Sequence, residues 1–344
     1  MIKILEINPN SNDAMSLYRS RLPLIRLQKK YPKEIEFHPS ARPGESSLEW
    51  DYLNIFDIVY ITRPTGHHAV QIIEACKRFK IPVWVDFDDL LTDIPLDNPA
   101  HTMMNKANIN EYVNKVLDGC TFATFSTPYL MNKMGKNILQ KSYVVPNALD
   151  LEMFSRPAML GMSKKVFWRG SNTHERDLWE FHVPLRDILR KSQSVDKSGY
   201  ILELMGGLKP IYIYDYVDVL YTGYKQKNEY FDYLTNVNGK INIVPLSHRT
   251  EEIDFNKSKS NISWIETTYG GMVSLAPDWE EWQKPGIINY TSKQDFGDKL
   301  IAMMEGKYNL EKLRQQSWQY IRENLTLDKT NEVRYELIRK YLKR

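Results

Sequence analysis

Short apolar runs recur along the chain, each ending in a polar turn and followed by residues at helical spacing. The first run, Ile2-Lys3-Ile4-Leu5-Glu6-Ile7, alternates and predicts a strand. Residues 8–13 are rich in capping side chains and lead into a helix bearing Tyr18, Arg19, Arg21, Leu22, Leu24, Ile25 and Leu27, which Pro23 is expected to kink or restart. Further strands are predicted over 56–61, 81–85, 121–127 and 142–150, and then over 165–168, 200–205, 217–221 and 241–246. A polar loop over 254–259 precedes a helix opened by Ser260 or Asn261, a Gly270-Gly271 stop and a buried strand over 272–276. From about Leu310 to Arg344 the chain reads as helical and rich in Lys and Arg. Strands alternating with helices in two successive halves predict an α/β protein of two Rossmann-like domains. No G-x-G-x-x-G follows the first strand, so NAD-type binding is not expected there.

Composition narrows this picture only slightly. A length of 344 residues suits two cores better than one, and 42% hydrophobic with 26% charged residues describes a soluble globular chain. A net charge of +3 permits a nucleic-acid or anionic-membrane partner without arguing for one. Cys76 and Cys120 have no metal-ligand spacing; they read as buried thiols, with a reduced, cytoplasmic compartment as the default. The N-terminus is a strand instead of an apolar signal region, and no stretch reaches the roughly 18 apolar residues of a membrane span. Stable membrane insertion is therefore not expected.

Candidate chemistry gathers at turns. Around residue 260, the first N–H groups of a helix, Lys257, Lys259, Ser260 and Asn261 form an expected anion site. Glu266, about one and a half turns further on, can reach a group attached to a bound phosphate, such as a ribose diol. An ordinary lysine-bearing turn before an amphipathic helix fits the same residues. Arg169-Gly170-Ser171 follows the strand at 165–168 as a second phosphate-cradling turn, with Arg169 as a fixed positive charge. His174 there is either a ligand contact or a capping or packing residue. His67 and His68 lie on a strand-end loop, where ligands are commonly met. Asp88 and Asp89, after the strand at 81–85, are candidates for a general base, for metal ligands or for helix caps. Arg19 and Arg21 either touch an acceptor or phosphate or lie on a solvated helix face. Trp279 and Trp282 either stack on a base or sugar or pin their loop to the core.

The segment 254–276 resembles the donor-site signature of family-4-type glycosyltransferases of GT-B fold, in which loop, helix, Glu, small-residue turn and strand bind a nucleotide diphosphate sugar. That family usually carries another Glu eight positions before the ribose-binding one; here the position is Ser258, while Asn256 and Lys259-Ser260 match a divergent form. Tyr143-Val144-Val145-Pro146-Asn147-Ala148-Leu149-Asp150 resembles the V-x-P-N-G-V-D segment that closes the family's N-terminal domain, with Ala148 in place of glycine. Arg169 precedes Gly170, whereas the usual pattern places the arginine after the glycine. Ser171-Asn172-Thr173-His174 with Asp177 resembles glycosyltransferase-like proteins of tailed phages.

The resemblance implies a GT-B fold of two Rossmann-like domains facing a cleft. Their expected bounds are 1–155 for the acceptor domain and 156–328 for the nucleotide-sugar donor domain, with a last helix over 329–344 crossing back onto the first. It implies a glycosyltransferase using a nucleotide sugar, a UDP-sugar above others, and requiring neither metal nor cofactor. Arg169, Lys257 or Lys259 and backbone N–H groups near Ser260 would hold the diphosphate, Glu266 the ribose, and His67 or His68 the donor sugar. The turn after 200–205 and the loop near 241–246 would surround the base. Asp88 or Asp89 would face the cleft as base for an acceptor hydroxyl. A D-x-D at 86–88 also resembles the metal site of the GT-A architecture, a reading that the donor signature far downstream argues against. The phage-like features, with mild basicity, point to 5-hydroxymethylcytosine in double-stranded DNA as acceptor, in a host cytoplasm. A surface polysaccharide, a lipid-linked glycan or a protein competes with it. The family favours retention of configuration, with inversion left open. A nucleotide-sugar epimerase of GT-B fold or a non-catalytic nucleotide-sugar-binding protein is the alternative from another class.

Overall fold

A computed structural model of the chain describes residues 1–8, 14–39, 50–106, 108–154, 161–195, 199–206, 217–235 and 239–342. Most of the turn expected at 8–13, the stretch 155–160 of the expected boundary and the glycine at 207 lie outside them. The chain divides into two compact units, one of Met1–Asp150, Lys257–Ser260 and Leu325–Arg344, the other of Leu151–Asn256 and Asn261–Asn324.

The first unit is built on β1 (Ile2–Ile7), β2 (Ile35–Pro39), β3 (Ile58–Thr62), β4 (Val83–Phe87), β5 (Phe122–Phe125) and β6 (Ser142–Val144). They form one sheet in the order β2-β1-β3-β4-β5-β6, every pair parallel. Parallel neighbours need crossovers, so helices cover the faces and the inner strands are buried on both sides; β3, β4 and β5 are buried throughout. Leu337 and Ile338 of the Leu327–Leu342 helix enter this core with Ile4, Leu24, Ile58, Trp84 and Phe122. Tyr335 stacks on Tyr31 at 3.9 Å and Tyr341 on Phe122 at 4.5 Å, while Asn331 donates to the Pro23 carbonyl at 2.9 Å.

The first helical stretch breaks earlier than Pro23. Helices Ala14–Tyr18 and Arg21–Lys30 flank Arg19 and Ser20, and Pro23 sits in the first turn of the second helix, where its missing N–H costs nothing. At the break Arg19 turns inward, 1% exposed, and makes a two-pronged ion pair with Asp86 at 2.9 and 2.6 Å. Thr124 also donates to Asp86, and the Trp84 indole donates to Thr124 at 2.7 Å. Arg19 is thus neither on a solvated face nor placed to meet a ligand. Its guanidinium and the Asp86 carboxylate neutralise each other in the core.

The second unit carries β7 (Met162–Gly170), β8 (Ile201–Gly206), β9 (Val219–Tyr221), β10 (Gly239–Ile243), β11 (Val273–Pro277) and β12 (Ile288–Tyr290). Its all-parallel order is β12-β11-β10-β7-β8-β9. Counted from β7, this is the 3-2-1-4-5-6 order of dinucleotide-binding sheets, whose ligands lie outside the strand ends where the order reverses. Here the reversal falls between β7 and β10. Alternation sends Val166, Trp168, Leu202, Leu204, Ile241 and Ile243 to one core, with Phe181, Leu185 and Phe296. Lys165, Phe167, Arg169, Glu203 and Lys240 point to the other face. Buried Glu203 accepts from Lys240 at 2.8 Å and from Lys165 at 3.0 Å, and Lys240 also reaches the Tyr233 hydroxyl at 2.6 Å. Burial lowers the Lys240 pKa, with Glu203 opposing.

The stretch expected as a polar loop over 254–259 is in part helical, Ile253–Lys257. Strands β2 and β12, both at sheet edges, were not predicted. Among the described residues no helix is long and apolar enough to cross a membrane.

Candidate functional site

Strand β7 delivers Arg169 to the sheet's reversal point. The residue lies on the same face as Phe167, and its guanidinium pairs with the buried Glu266 carboxylate of the Ile262–Tyr269 helix. Tyr230, from the Lys227–Thr235 helix, donates its hydroxyl to Glu266 at 3.0 Å, and Arg169 lies over the Tyr230 ring at 5.6 Å. Burial pushes the Tyr230 phenol well above its ordinary pKa, Arg169 pulls it back and Glu266 adds to the rise. The phenol therefore stays protonated and remains a donor. A cation, a carboxylate and a fixed hydroxyl are thereby held together beside a strand end.

The backbone next to them is closely apposed. A Cβ on Gly206 would lie 1.9 Å from the Gly170 carbonyl oxygen, and one on Gly170 would lie 2.4 Å from the Trp168 ring. Only glycine lets β7 and β8 finish side by side. Ser171 is exposed and shares a hydrogen bond with Thr173 at 2.6 Å. His174 precedes the Glu175–Glu180 helix without capping it; its Nδ1 is 3.1 Å from Asp177. Asp177 in turn accepts from the Ser247 N–H and from Asn256 Nδ2, both at 3.0 Å. These residues fasten the loop after β10 to the turn after β7.

At the helix start expected to hold an anion, the N-cap residue meets the Glu281 loop. Asn261 stands at the N-cap of the Ile262–Tyr269 helix but its side chain caps nothing; Nδ2 donates to the Glu281 carbonyl at 3.2 Å. The Asn261 N–H faces a Glu281 carboxylate oxygen at 3.4 Å. Burial raises the Glu281 carboxyl to about 7. Lys257, Ser258, Lys259 and Ser260 belong by their packing to the first unit, where Asn147 donates to Ser260 at 2.8 Å and Thr127 to the Ser258 carbonyl at 3.2 Å. Lys259 is buried and Lys257 half-buried. Trp282 is buried and pins its loop, whereas Trp279 is half-buried with its ring 4.9 Å from His248.

In the first unit the strand ends bring together another group. Arg63, just beyond β3, clamps Asp88 with bonds of 2.5 and 2.8 Å and Asp89 with one of 3.1 Å. Arg63 holds a left-handed backbone, φ 43, and its N–H donates to the Asp86 carbonyl at 2.9 Å. Sequence reading did not single out Arg63 or Tyr230. For Arg63 a signal existed, because β3 and β4 are neighbouring parallel strands in which Thr62 faces Asp86, so an arginine after one end meets aspartates after the other. For Tyr230 there was none. His67 begins the His67–Phe79 helix and is exposed, with its ring 6.0 Å from Tyr112; His68 is half-buried. Arg21 reaches Glu6 at 3.3 Å.

Two six-stranded parallel sheets, each wrapped by helices, define an α/β protein of GT-B fold. Anabaena Alr3699/HepE, solved in complex with UDP-glucose, matches with a TM-score of 0.63 at 11% identity over 99% of this chain and 100% of that one. A UDP-forming α,α-trehalose-phosphate synthase from Burkholderia vietnamiensis matches with a TM-score of 0.62 at 10% identity, over 99% and 97% of the two chains. An E. coli trehalose-6-phosphate protein bound with UDP-2-fluoro glucose gives 0.57 at 9% identity, over 92% and 76%. No protein-family model and no curated protein matches the sequence.

Proposed function

We propose that this chain is a glycosyltransferase that moves a sugar from a UDP-sugar to an acceptor hydroxyl. The observation that carries the reading is the Arg169–Glu266–Tyr230 cluster at the reversal point of the second sheet, within a GT-B fold. The names of solved structures sharing that fold, which include UDP, UDP-glucose and a UDP-2-fluoro sugar, support it. In this reading Glu266 accepts hydrogen bonds from the ribose diol, Tyr230 keeps Glu266 in place, and Arg169 faces the diphosphate. The acceptor oxygen bonds to the anomeric carbon as the bond from that carbon to the diphosphate oxygen breaks. The electron pair leaves with UDP, whose growing charge Arg169 stabilises. The acceptor proton passes to Asp88 for inversion, or to the leaving diphosphate for retention. Because a fixed guanidinium supplies the positive charge, transfer is proposed to persist in a chelator.

The free thiols of Cys76 and Cys120 are buried, and burial pushes them up to about 12 and about 11, which suits the reducing cytoplasm we propose as compartment. 5-Hydroxymethylcytosine in DNA is the narrower form of the acceptor reading. Its support is the resemblance at 171–177, where His174 and Asp177 are engaged with each other.

Calorimetric titration with UDP-glucose and GDP-glucose, alongside mass spectrometry of the products, tests the reading. Glu266→Ala and Arg169→Ala should each weaken donor binding by about 1–3 kcal/mol, the cost of losing a charged hydrogen bond. Unchanged affinity in both variants overturns the site. Interconversion of free nucleotide sugars without acceptor would reassign the chain as an epimerase, and donor bound but never cleaved would make it a binding protein.

A further inference from the structure

The sheet face that carries Arg169 holds a second charged group, nearer the start of the strands. Lys240 is buried there, and its ammonium donates to Glu203 at 2.8 Å and to the Tyr233 hydroxyl at 2.6 Å. It also lies over the rings of Phe167 and Tyr233, at 5.1 and 4.6 Å. Burying an ammonium costs free energy, and apolar side chains would fill the same face without that cost. What the charge adds is direction, because a charge-assisted hydrogen bond holds its acceptor at a defined distance and angle. The acceptor held in this way is the Tyr233 hydroxyl.

Tyr233 belongs to the Lys227–Thr235 helix, which also carries Tyr230. Residues three apart are neighbours on a helix surface, so the two phenols reach the sheet side by side, Tyr233 to Lys240 and Tyr230 to Glu266 at 3.0 Å. Apolar contacts hold the same helix through Phe231, which stacks on Phe154 at 4.0 Å, and through Leu234, whose carbonyl oxygen would lie 3.2 Å from a Cβ on Gly270. Such contacts are non-directional: they set how near the helix lies, while the two phenolic bonds set its rotation and its place along the sheet.

We infer that Lys240 is a positioning residue for the donor site: through Tyr233 it fixes the Lys227–Thr235 helix and so holds the Tyr230 phenol on Glu266. The inference rests on the glycosyltransferase reading, in which Glu266 meets the ribose. Lys240 acts through the two tyrosines and not by contact with the sugar nucleotide. Arg169 comes from β7 itself, so its place beside the leaving diphosphate does not depend on the helix. Loosening the Tyr233 bond should therefore weaken donor binding and spare turnover once donor is saturating.

Tyr233→Phe removes one hydroxyl and leaves Lys240 paired with Glu203, so the variant should fold as the parent does. Calorimetric titration with UDP-glucose should show binding about tenfold weaker, with turnover at saturating donor within about twofold of the parent. The same substitution made in the Tyr230→Phe chain should change nothing further, because the phenol that it positions has lost its hydroxyl. Lys240→Met, in which Lys165 still partners Glu203, should reproduce both results. Equal losses with and without the Tyr230 hydroxyl would show Tyr233 acting on packing in general, and no loss would show that its bond positions nothing; either overturns the inference. A parent chain that binds no UDP-glucose sinks the donor reading instead. In that case ¹⁹F NMR of the chain labelled with 3-fluorotyrosine decides, the Tyr230 resonance being assigned by its loss in Tyr230→Phe. That resonance should move in Tyr233→Phe if Tyr233 holds the helix in place, and an unmoved resonance overturns the inference.

Discussion

Arg63 carries a backbone conformation that costs a non-glycine residue roughly 1 kcal/mol or more, and it uses that conformation to grip Asp88 and Asp89. Glycine at this position would relax the backbone and free both carboxylates. Arg63→Gly is therefore expected to leave the melting temperature within a few degrees while transfer slows about tenfold, and Arg63→Lys should recover only part of the rate, since a lysine cannot pair two-pronged. A collapse of the melting temperature with full activity in the remaining folded protein would assign the clamp to structure alone. Glu281 makes a second case at this scale. Its carboxyl rises from 4.5 to about 7 through burial, so the folded chain holds the proton more tightly than the unfolded one. The contribution to stability is complete below about 4.5 and is lost as pH climbs through about 7. Glu281→Gln keeps an acceptor for the Asn261 N–H and removes the titration. Denaturant midpoints should converge at pH 4 and favour the variant at pH 8, and parallel curves would show that Glu281 does not titrate in that window.

At the scale of elements, the inner strands were legible because they are short apolar runs bounded by polar turns, as in β3 and β4. The edges were not. β2 is Ile35-Glu36-Phe37-His38-Pro39, half-exposed with two ionisable residues, and β12 has only three residues, so neither offers enough of a period to separate it from a loop. Pairing with one neighbour, not local preference, makes them strands. The site was legible to the same degree. Arg169 stood out at a strand end and Glu266 inside the helix that follows the expected anion site, but the ion pair between them, and Tyr230 on a third element, are products of packing. The departure at Ser258 now has a physical cause. That residue is fully buried, and its carbonyl accepts from Thr127, which also caps the helix at Pro128–Met134. A glutamate in its place would bury a carboxylate. Ser258→Glu, the change that introduces the Glu spacing of the resembling family, should therefore destabilise the fold by about 3 kcal/mol or more in urea titration, and a variant as stable as the parent would show room that the packing does not offer.

At the scale of the molecule, chain order and structural unit do not coincide. The first unit is closed by residues from the end of the sequence: Leu149 pairs with Thr326 in an isolated parallel bridge, and the Leu327–Leu342 helix follows directly. That helix is more than a cover. Leu337 and Ile338 fill the core, Tyr335 and Tyr341 stack on Tyr31 and Phe122, and buried Arg334 donates to Thr330 at 2.9 Å and to the Tyr18 carbonyl at 3.4 Å. Burial, with Arg19 nearby, lowers the Arg334 guanidinium to about 10, and the Asp86 carboxylate paired with Arg19 offsets the two buried arginines. Arg334 thus serves the first sheet, whereas Lys329, Arg339 and Lys340 are exposed. Leu337→Ala should cost about 2–5 kcal/mol, the usual range for emptying a core leucine site. Asp86→Ala, which strands Arg19 beside Arg334, should cost about 3–5 kcal/mol. Removal of residues 327–344 goes further, since it exposes Trp84 and Phe122 and leaves the sheet without that part of its cover. Limited proteolysis followed by mass spectrometry should then show cleavage spreading through the first unit while fragments of the second persist. Equal protection of the first unit in the shortened chain would mean that the helix docks on a core already complete without it.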